Sequence, residues 1–286
     1  MGWKKCEQNV KMIIALLASF ATFKEPFHLL TLTLLSLLLP LSFLLLSRLS
    51  IAHYLLTLNP PHQNPYFSPL LSIFLYTNPT LLHALVSIVL VASLVHGFTG
   101  RSTTFLSESP RPIFQPHLYV AWAFLSTLQV CVCLGIEGSM SAGVEGFGGF
   151  GNERSLFSGV VFFIGLHEAM CYWSRMVVKP VVDDTVFGVA KEEKWAERVA
   201  AALSVGGLWW WRLRDEVGFL VMVVEIEKKL SMGAGLNEFV GWWLYYLTVT
   251  IGMVRVVKGI MWVGMILLCR EVERNNQEPR MVEDKV

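Results

Sequence analysis

Long apolar runs, rather than the alternating polar faces of soluble helices, set the pattern of this chain. Residues 27–47 form a stretch of 21 residues without a formal charge. At 1.5 Å per residue a helix of that length covers a hydrocarbon core of about 30 Å. Comparable runs at 81–98, 118–136 and 156–178 predict three further membrane spans, and 239–268 predicts another with length to spare. The fold class this predicts is all-α, a polytopic helical membrane protein of about six transmembrane helices, or five plus a re-entrant segment.

The open question in that count is 199–224. Its first part, 199–211, reaches only about 20 Å as a helix and is too short to cross. Arg212, Arg214, Asp215 and Glu216 then interrupt the apolar residues. Either one long helix crosses with its charges paired inside the bundle, or two short pieces form a re-entrant hairpin shielded by protein. Trp209, Trp210 and Trp211 beside Arg212 resemble an interfacial belt and predict a membrane boundary there.

The punctuation between runs supports the division. Arg48 is expected to close the first span, and the next loop collects Pro60, Pro61, Pro65 and Pro69 with His53 and His62. His83 and His96 stand near the two ends of the second span, within reach of headgroups. Pro180 lacks an amide hydrogen and should stop the fourth helix at Val178 by pushing Lys179 out of helical geometry. Asp183 and Asp184 are then expected to cap a following helix, and 186–198 reads as a short solvated helix or loop. Gly146, Gly148 and Gly151 satisfy the letters GxGxxG, but no strand precedes them, so a dinucleotide site is not predicted.

Composition agrees with the membrane class. Of 286 residues, 54% are hydrophobic and 16% charged, with a mean hydropathy of +0.53, more apolar surface than one soluble core of this length carries. The net charge of +1 supplies no field for nucleic acid, which is not expected as a partner. The basic residues are unevenly placed: seven of 23 precede Pro112, whereas fifteen follow Met170. With six spans, their excess on the N-terminal side predicts that both termini are cytoplasmic. The domain reading is an interfacial N-terminal segment at 1–26, a transmembrane domain at 27–268, and a charged tail at 269–286. The opening Lys4, Lys5 and Lys11 ahead of an apolar run resemble a signal peptide. A longer run follows almost at once, which favours an uncleaved amphipathic segment. The five cysteines, Cys6, Cys131, Cys133, Cys171 and Cys269, form no CxxC pair and read as reduced packing residues.

Candidate chemistry concentrates in 165–184. His167 and Glu168 stand at about mid-depth of the fourth span, where an ionisable group is costly. On a helix, Glu168, Tyr172, Arg175 and Lys179 fall within about 60° of one another, with His167, Cys171 and Ser174 on the adjoining stripe. Lipid cannot face that stripe. Arg175 is about 10 Å along the axis from Glu168, too far for a pair, so the predicted partner is Arg255 or Lys258 of the last span. The candidate binding residues are therefore His167, Glu168, Tyr172, Arg175, Arg255 and Lys258. The order His167, Glu168, Cys171 approaches the HExxH zinc motif, but cysteine replaces the second histidine and no third ligand is identifiable. No catalytic residue, metal or cofactor is predicted, and an enzyme is the less favoured reading.

The strings Arg175-Met176-Val177-Val178-Lys179-Pro180-Val181-Val182-Asp183-Asp184-Thr185-Val186-Phe187-Gly188 and Trp209-Trp210-Trp211-Arg212-Leu213-Arg214-Asp215-Glu216-Val217-Gly218-Phe219 carry a further indication. Over most of its second half the chain resembles a family of plant multi-pass transmembrane proteins without an assigned activity. The resemblance implies a plant source and a membrane fold, and it brings no catalytic or binding role. Three uses of the polar cluster stay open: helix-packing glue or a small-ligand or ion site, a membrane scaffold or tether, and a transporter-like role. Membrane lipids are expected partners, and the 179–198 loop is a candidate protein contact.

Overall fold

The computed structural model describes residues 24–58, 80–99, 116–141, 156–188, 191–229 and 236–277. The N-terminal amphipathic segment up to residue 23, the proline-rich loop with His62, residues 100–115, the GxGxxG loop and the end of the tail lie outside the described residues. Every described element is helical. Helix α1 covers 24–36 and Leu38–Leu58, interrupted at Leu37 about one turn before Pro40, which cannot donate to the carbonyl four residues back. Helices α2 (Thr80–Thr99) and α3 (Pro116–Ser141) follow. Helix α4 joins Leu156–Trp173 to Lys179–Phe187 through a π-helical turn at Ser174–Val178. Helix α5 likewise joins Trp195–Leu208 to Arg214–Glu216 through Trp209–Leu213. After Val217 and Gly218 come α6 (Phe219–Lys229) and α7 (Leu236–Gln277).

Four of these helices are long and apolar enough to cross a membrane, over Lys24–Ala52, Thr80–Thr99, Leu118–Met140 and Phe239–Arg270. The protein is thus an all-α polytopic helical protein of the membrane-embedded kind. Cross-helix contacts fix the directions. His28 meets Asp183, Ser36 meets Ser174 and Phe43 meets Phe162, so α1 and α4 are antiparallel. Tyr245 meets Ser158 and Arg255 meets Glu168, so α7 runs parallel to α4. Helix α5 begins with Glu197 on Lys179, passes Trp209 over Phe162 and Phe163, and ends with Glu216 on Arg48. That path rises about 28 Å along the bundle. The charges of this segment are paired, as in the one-helix alternative, but the helix ends at Glu216 and a second one starts at Phe219, so 199–224 is not one helix. By the directions of α1, α4 and α7, the start of α1 and the end of α7 lie at the same end of the bundle.

The core gathers around α4, whose Phe162, Leu166, Ala169 and Met170 have no exposed surface. Phe162 stacks on Tyr245 and Trp209 and meets Phe43 edge-on, which ties four helices to one ring. The most extensive helix pair is α4 with α7, and two glycines explain it. A Cβ on Gly165 would stand 2.8 Å from the Gly252 amide nitrogen, and one on Gly252 would stand 3.0 Å from that of Gly165. Small residues let the backbones touch, a usual means of association in lipid, where burial of apolar surface drives little. Of the apolar windows, α1 is 61% buried and α7 only 11%, so α1 is a core helix and α7 is mainly an outer one.

Three expectations fail here for local reasons. Pro180 does not end the fourth helix: Lys179 keeps helical angles (φ −60°, ψ −48°), and its amide bonds to Ser174 O in the wider π turn. That turn accommodates the missing Pro180 amide and the ring, so the helix runs on to Gly188, whose φ of 70° stops it. Asp183 and Asp184 are consequently inside α4, not capping the next helix, whose N-cap is Lys194 without a side-chain bond. Arg48 does not close the first span either: it is buried within α1, which continues through His53 to Leu58. Residues 191–194 are extended, and Trp195 already opens helix α5.

Candidate functional site

Charged side chains collect at three levels of the bundle, and their geometries differ. At the end remote from His28, Arg48 is held by Glu216 through two bonds of 2.6 Å and donates to Ser139 Oγ at 3.1 Å. The two side chains are 4% and 13% exposed. Arg212 also approaches Glu216, at 3.7 Å, and Ser47 Oγ donates to the Glu216 carbonyl. This closed, bidentate pair joins α1, α3 and α5. It is the geometry in which a buried ion pair offsets its desolvation.

At the opposite end, Asp183 is buried and accepts from His28 Nε2 at 2.5 Å and from the Lys191 amide at 3.1 Å, with Lys179 Nζ at 3.7 Å. Lys179 also donates to buried Glu197 at 2.7 Å. Outside this core, Glu25 takes Lys191 and Lys194, while Glu193 takes Arg175 and Arg198. The ammonium of Lys191 lies 3.4 Å above the Phe187 ring. Each charge named here on the 179–198 segment is engaged within the chain, and α1, α4 and α5 are clasped by it.

The third cluster lies halfway along α7, between α2, α4 and α7. Arg255 Nε is 3.4 Å from Glu168 Oε2, the interhelical pair the sequence predicts. The side chains are 60% and 31% exposed, far more open than the closed pair at Arg48. Lys258 Nζ donates to the Gly97 carbonyl in the last turn of α2. A cavity of ≈ 210 Å³ opens beside them, lined by Ser93, His96, Glu168, Val254, Arg255 and Lys258 among others. The rings of His96 and Tyr172 meet at 5.3 Å. Ser93 is 2% exposed, and its Oγ has no hydrogen-bond partner among the described residues.

Of the predicted residues, the structure therefore brings Glu168, Arg255 and Lys258 together, with Tyr172 reaching them through His96. Arg175 and Lys179 do not join them. The π turn rotates both away, toward Glu193 and toward Glu197 and Asp183. His167 also turns elsewhere, toward Phe163, with Cys171 Sγ 3.7 Å from its Nε2. Among the described residues no three histidine, cysteine, aspartate or glutamate side chains converge as metal ligands. Ser93 and His96 complete the cavity and were not predicted there: a serine in an apolar helix carries no signal, and His96 read as a headgroup contact. Arg48, His28 and Glu197 were missed for a related reason, because each stands near the end of an apolar run. A helical run continuing past Arg48 through Ile51 and Ala52 was the available clue.

Comparison of the chain with protein-family models, curated proteins and solved structures gives no match.

Proposed function

We propose that this is an integral membrane protein whose α2–α4–α7 cavity binds a small ligand or ion, with Glu168, Arg255, Lys258, His96 and Ser93 as its polar wall. The observation that carries the reading is the contrast between two ion pairs in one molecule. The Arg48–Glu216 pair is buried and doubly bonded, as helix glue should be. The Glu168–Arg255 pair is open, 3.4 Å apart and placed against a cavity far larger than one water requires, about 10–15 Å³. Polar groups at that depth in an apolar span need hydration or a ligand. The resemblance to a plant membrane family supplies no activity, so the reading rests on this geometry. A scaffold role has less support, because Lys179, Asp183, Lys191, Glu193, Lys194, Glu197 and Arg198 of the 179–198 segment have partners within the chain.

The test is thiol labelling of Ser93→Cys in a chain whose five native cysteines are replaced by serine. A hydrated ligand site predicts modification by a small water-soluble methanethiosulfonate, slowed by Arg255→Trp. Lack of reaction in a folded protein would reduce the cluster to packing. We also propose that both termini face the cytoplasm. The uneven basic residues support this, and the start of α1 and the end of α7 lie at the same end of the bundle. A reporter fused after Val286 and found on the non-cytoplasmic side would overturn it.

A further inference from the structure

We infer that the α2–α4–α7 cavity receives the anionic headgroup of a membrane amphiphile, entering sideways from the bilayer. The inference rests on the ligand-site reading above and specifies its ligand. Three observations carry it.

The first is the balance of charge and hydrogen-bonding groups. Arg255 and Lys258 face a single carboxylate, Glu168, so the ionised wall holds one net positive charge, with His96 and Tyr172 as the other titratable neighbours. Lys258 spends a bond on the Gly97 carbonyl, but an ammonium has three donors. Arginine and lysine are pure donors, so the wall offers more donors than it can satisfy with Glu168 alone. A phosphate or carboxylate is the complementary group.

Ser93 supplies the second observation. Ser36, Ser42, Ser87 and Thr248 all return their hydroxyls to the carbonyl four residues back. Ser93 does not: its oxygen is buried and without a partner among the described residues, and Ser93 is one of the residues that line the cavity. A buried hydroxyl without a partner carries a desolvation cost that a ligand oxygen would relieve.

The third is the surface outside the mouth. Arg255 is the seventeenth residue of the 32-residue span Phe239–Arg270, and the cavity it lines also takes Ser93, His96 and Gly97 from the last two turns of α2. Around and beyond it α7 exposes Met253, Val257, Ile260, Met261, Trp262 and Met265. An amphiphile whose headgroup meets Lys258, Arg255 and Ser93 at the last two turns of α2 would lay its tail against those apolar side chains, a contact that a soluble ion lacks.

The test uses the purified full chain in detergent, with native mass spectrometry as the binding readout. The probes are dioleoyl phosphatidic acid, dioleoyl phosphatidylcholine with the same tails, and inorganic phosphate. The expected result is saturable binding of phosphatidic acid alone. Loss of a charged partner in Lys258→Gln should weaken it about tenfold or more, and Ser93→Ala by about 2–10-fold. Both variants keep the Glu168–Arg255 pair and so should fold; their melting temperatures are measured alongside. Equal binding of phosphatidylcholine overturns the anionic class, and equal binding of phosphate overturns entry from the bilayer. Phosphatidic acid binding that neither variant weakens places the lipid elsewhere and also overturns the inference. If no probe binds while Ser93→Cys labels, the lipid inference fails and the ligand-site reading survives. If Ser93→Cys does not label, both fall.

Discussion

Replacing Gly165 by alanine tests the contact that aligns the two walls of the cavity. The added Cβ would meet backbone only: it would stand 2.8 Å from Gly252 N and 3.0 Å from Thr248 C. No side chain can turn aside to make room, so α4 and α7 must separate. Overpacking of a tight contact costs about 1–3 kcal/mol. At about 2–4 °C per kcal/mol for a domain of this order of size, the melting temperature in detergent should fall by about 2–12 °C. The sign is diagnostic, because alanine at an open helical glycine should stabilise by about 0.5–1 kcal/mol. Gly259 and Gly264, further along α7, have nothing within 4 Å of an added Cβ, and their alanine variants should melt no lower than the parent. Gly165→Ala combined with Gly252→Ala should cost less than the sum of the two, since one separation relieves both clashes. An unchanged melting temperature for Gly165→Ala, or full additivity of the pair, would refute close backbone packing at this crossing.

Two further outcomes probe the charged end of the bundle. Asp183→Ala strips three partners at once, His28, Lys179 and the Lys191 amide, and should cost about 3–5 kcal/mol by leaving buried charge uncompensated. The same change should hasten tryptic cleavage after Lys191 and Lys194, whose segment Asp183 anchors. A wild-type digestion rate would show that the anchor lies elsewhere. Glu193→Ala should shift the melting temperature by less than about 2–4 °C, since Arg175 and Arg198 are 52% and 62% exposed and such pairs contribute about 0–1 kcal/mol. A larger loss would mean that the outer pairs share in the clasp.

Several features of the architecture could be read directly from residue order because the bilayer leaves few alternatives. The apolar runs placed the helices, and one acid amid the fourth run required a partner among the two cations of the last. The Glu168–Arg255 pair follows from that arithmetic alone. What residue order hid were the departures from regular helix. Pro180 signals a stop in any local reading, yet a π turn at Ser174–Val178 absorbs it and turns Arg175 and Lys179 from the predicted stripe. Arg48 at the end of a 21-residue run reads as a boundary, although the helix continues past it to meet Glu216. Its partner lies 168 positions away, beyond any periodicity. Ser93 was invisible for another reason: only packing shows whether a helical hydroxyl turns back to its own backbone or into a cavity.

The central claim is that one interhelical ion pair is structural and the other belongs to an open site. Making the same chemical change at both, Glu216→Gln and Glu168→Gln, tests it most directly, with melting temperature as the readout. Breaking the buried Arg48–Glu216 pair should cost about 3–5 kcal/mol, a fall of roughly 6–20 °C. Breaking the open pair beside a hydrated cavity should cost about 0–1 kcal/mol, a fall of no more than about 4 °C. Equal losses at the two positions would make Glu168–Arg255 a packing strut and contradict the account.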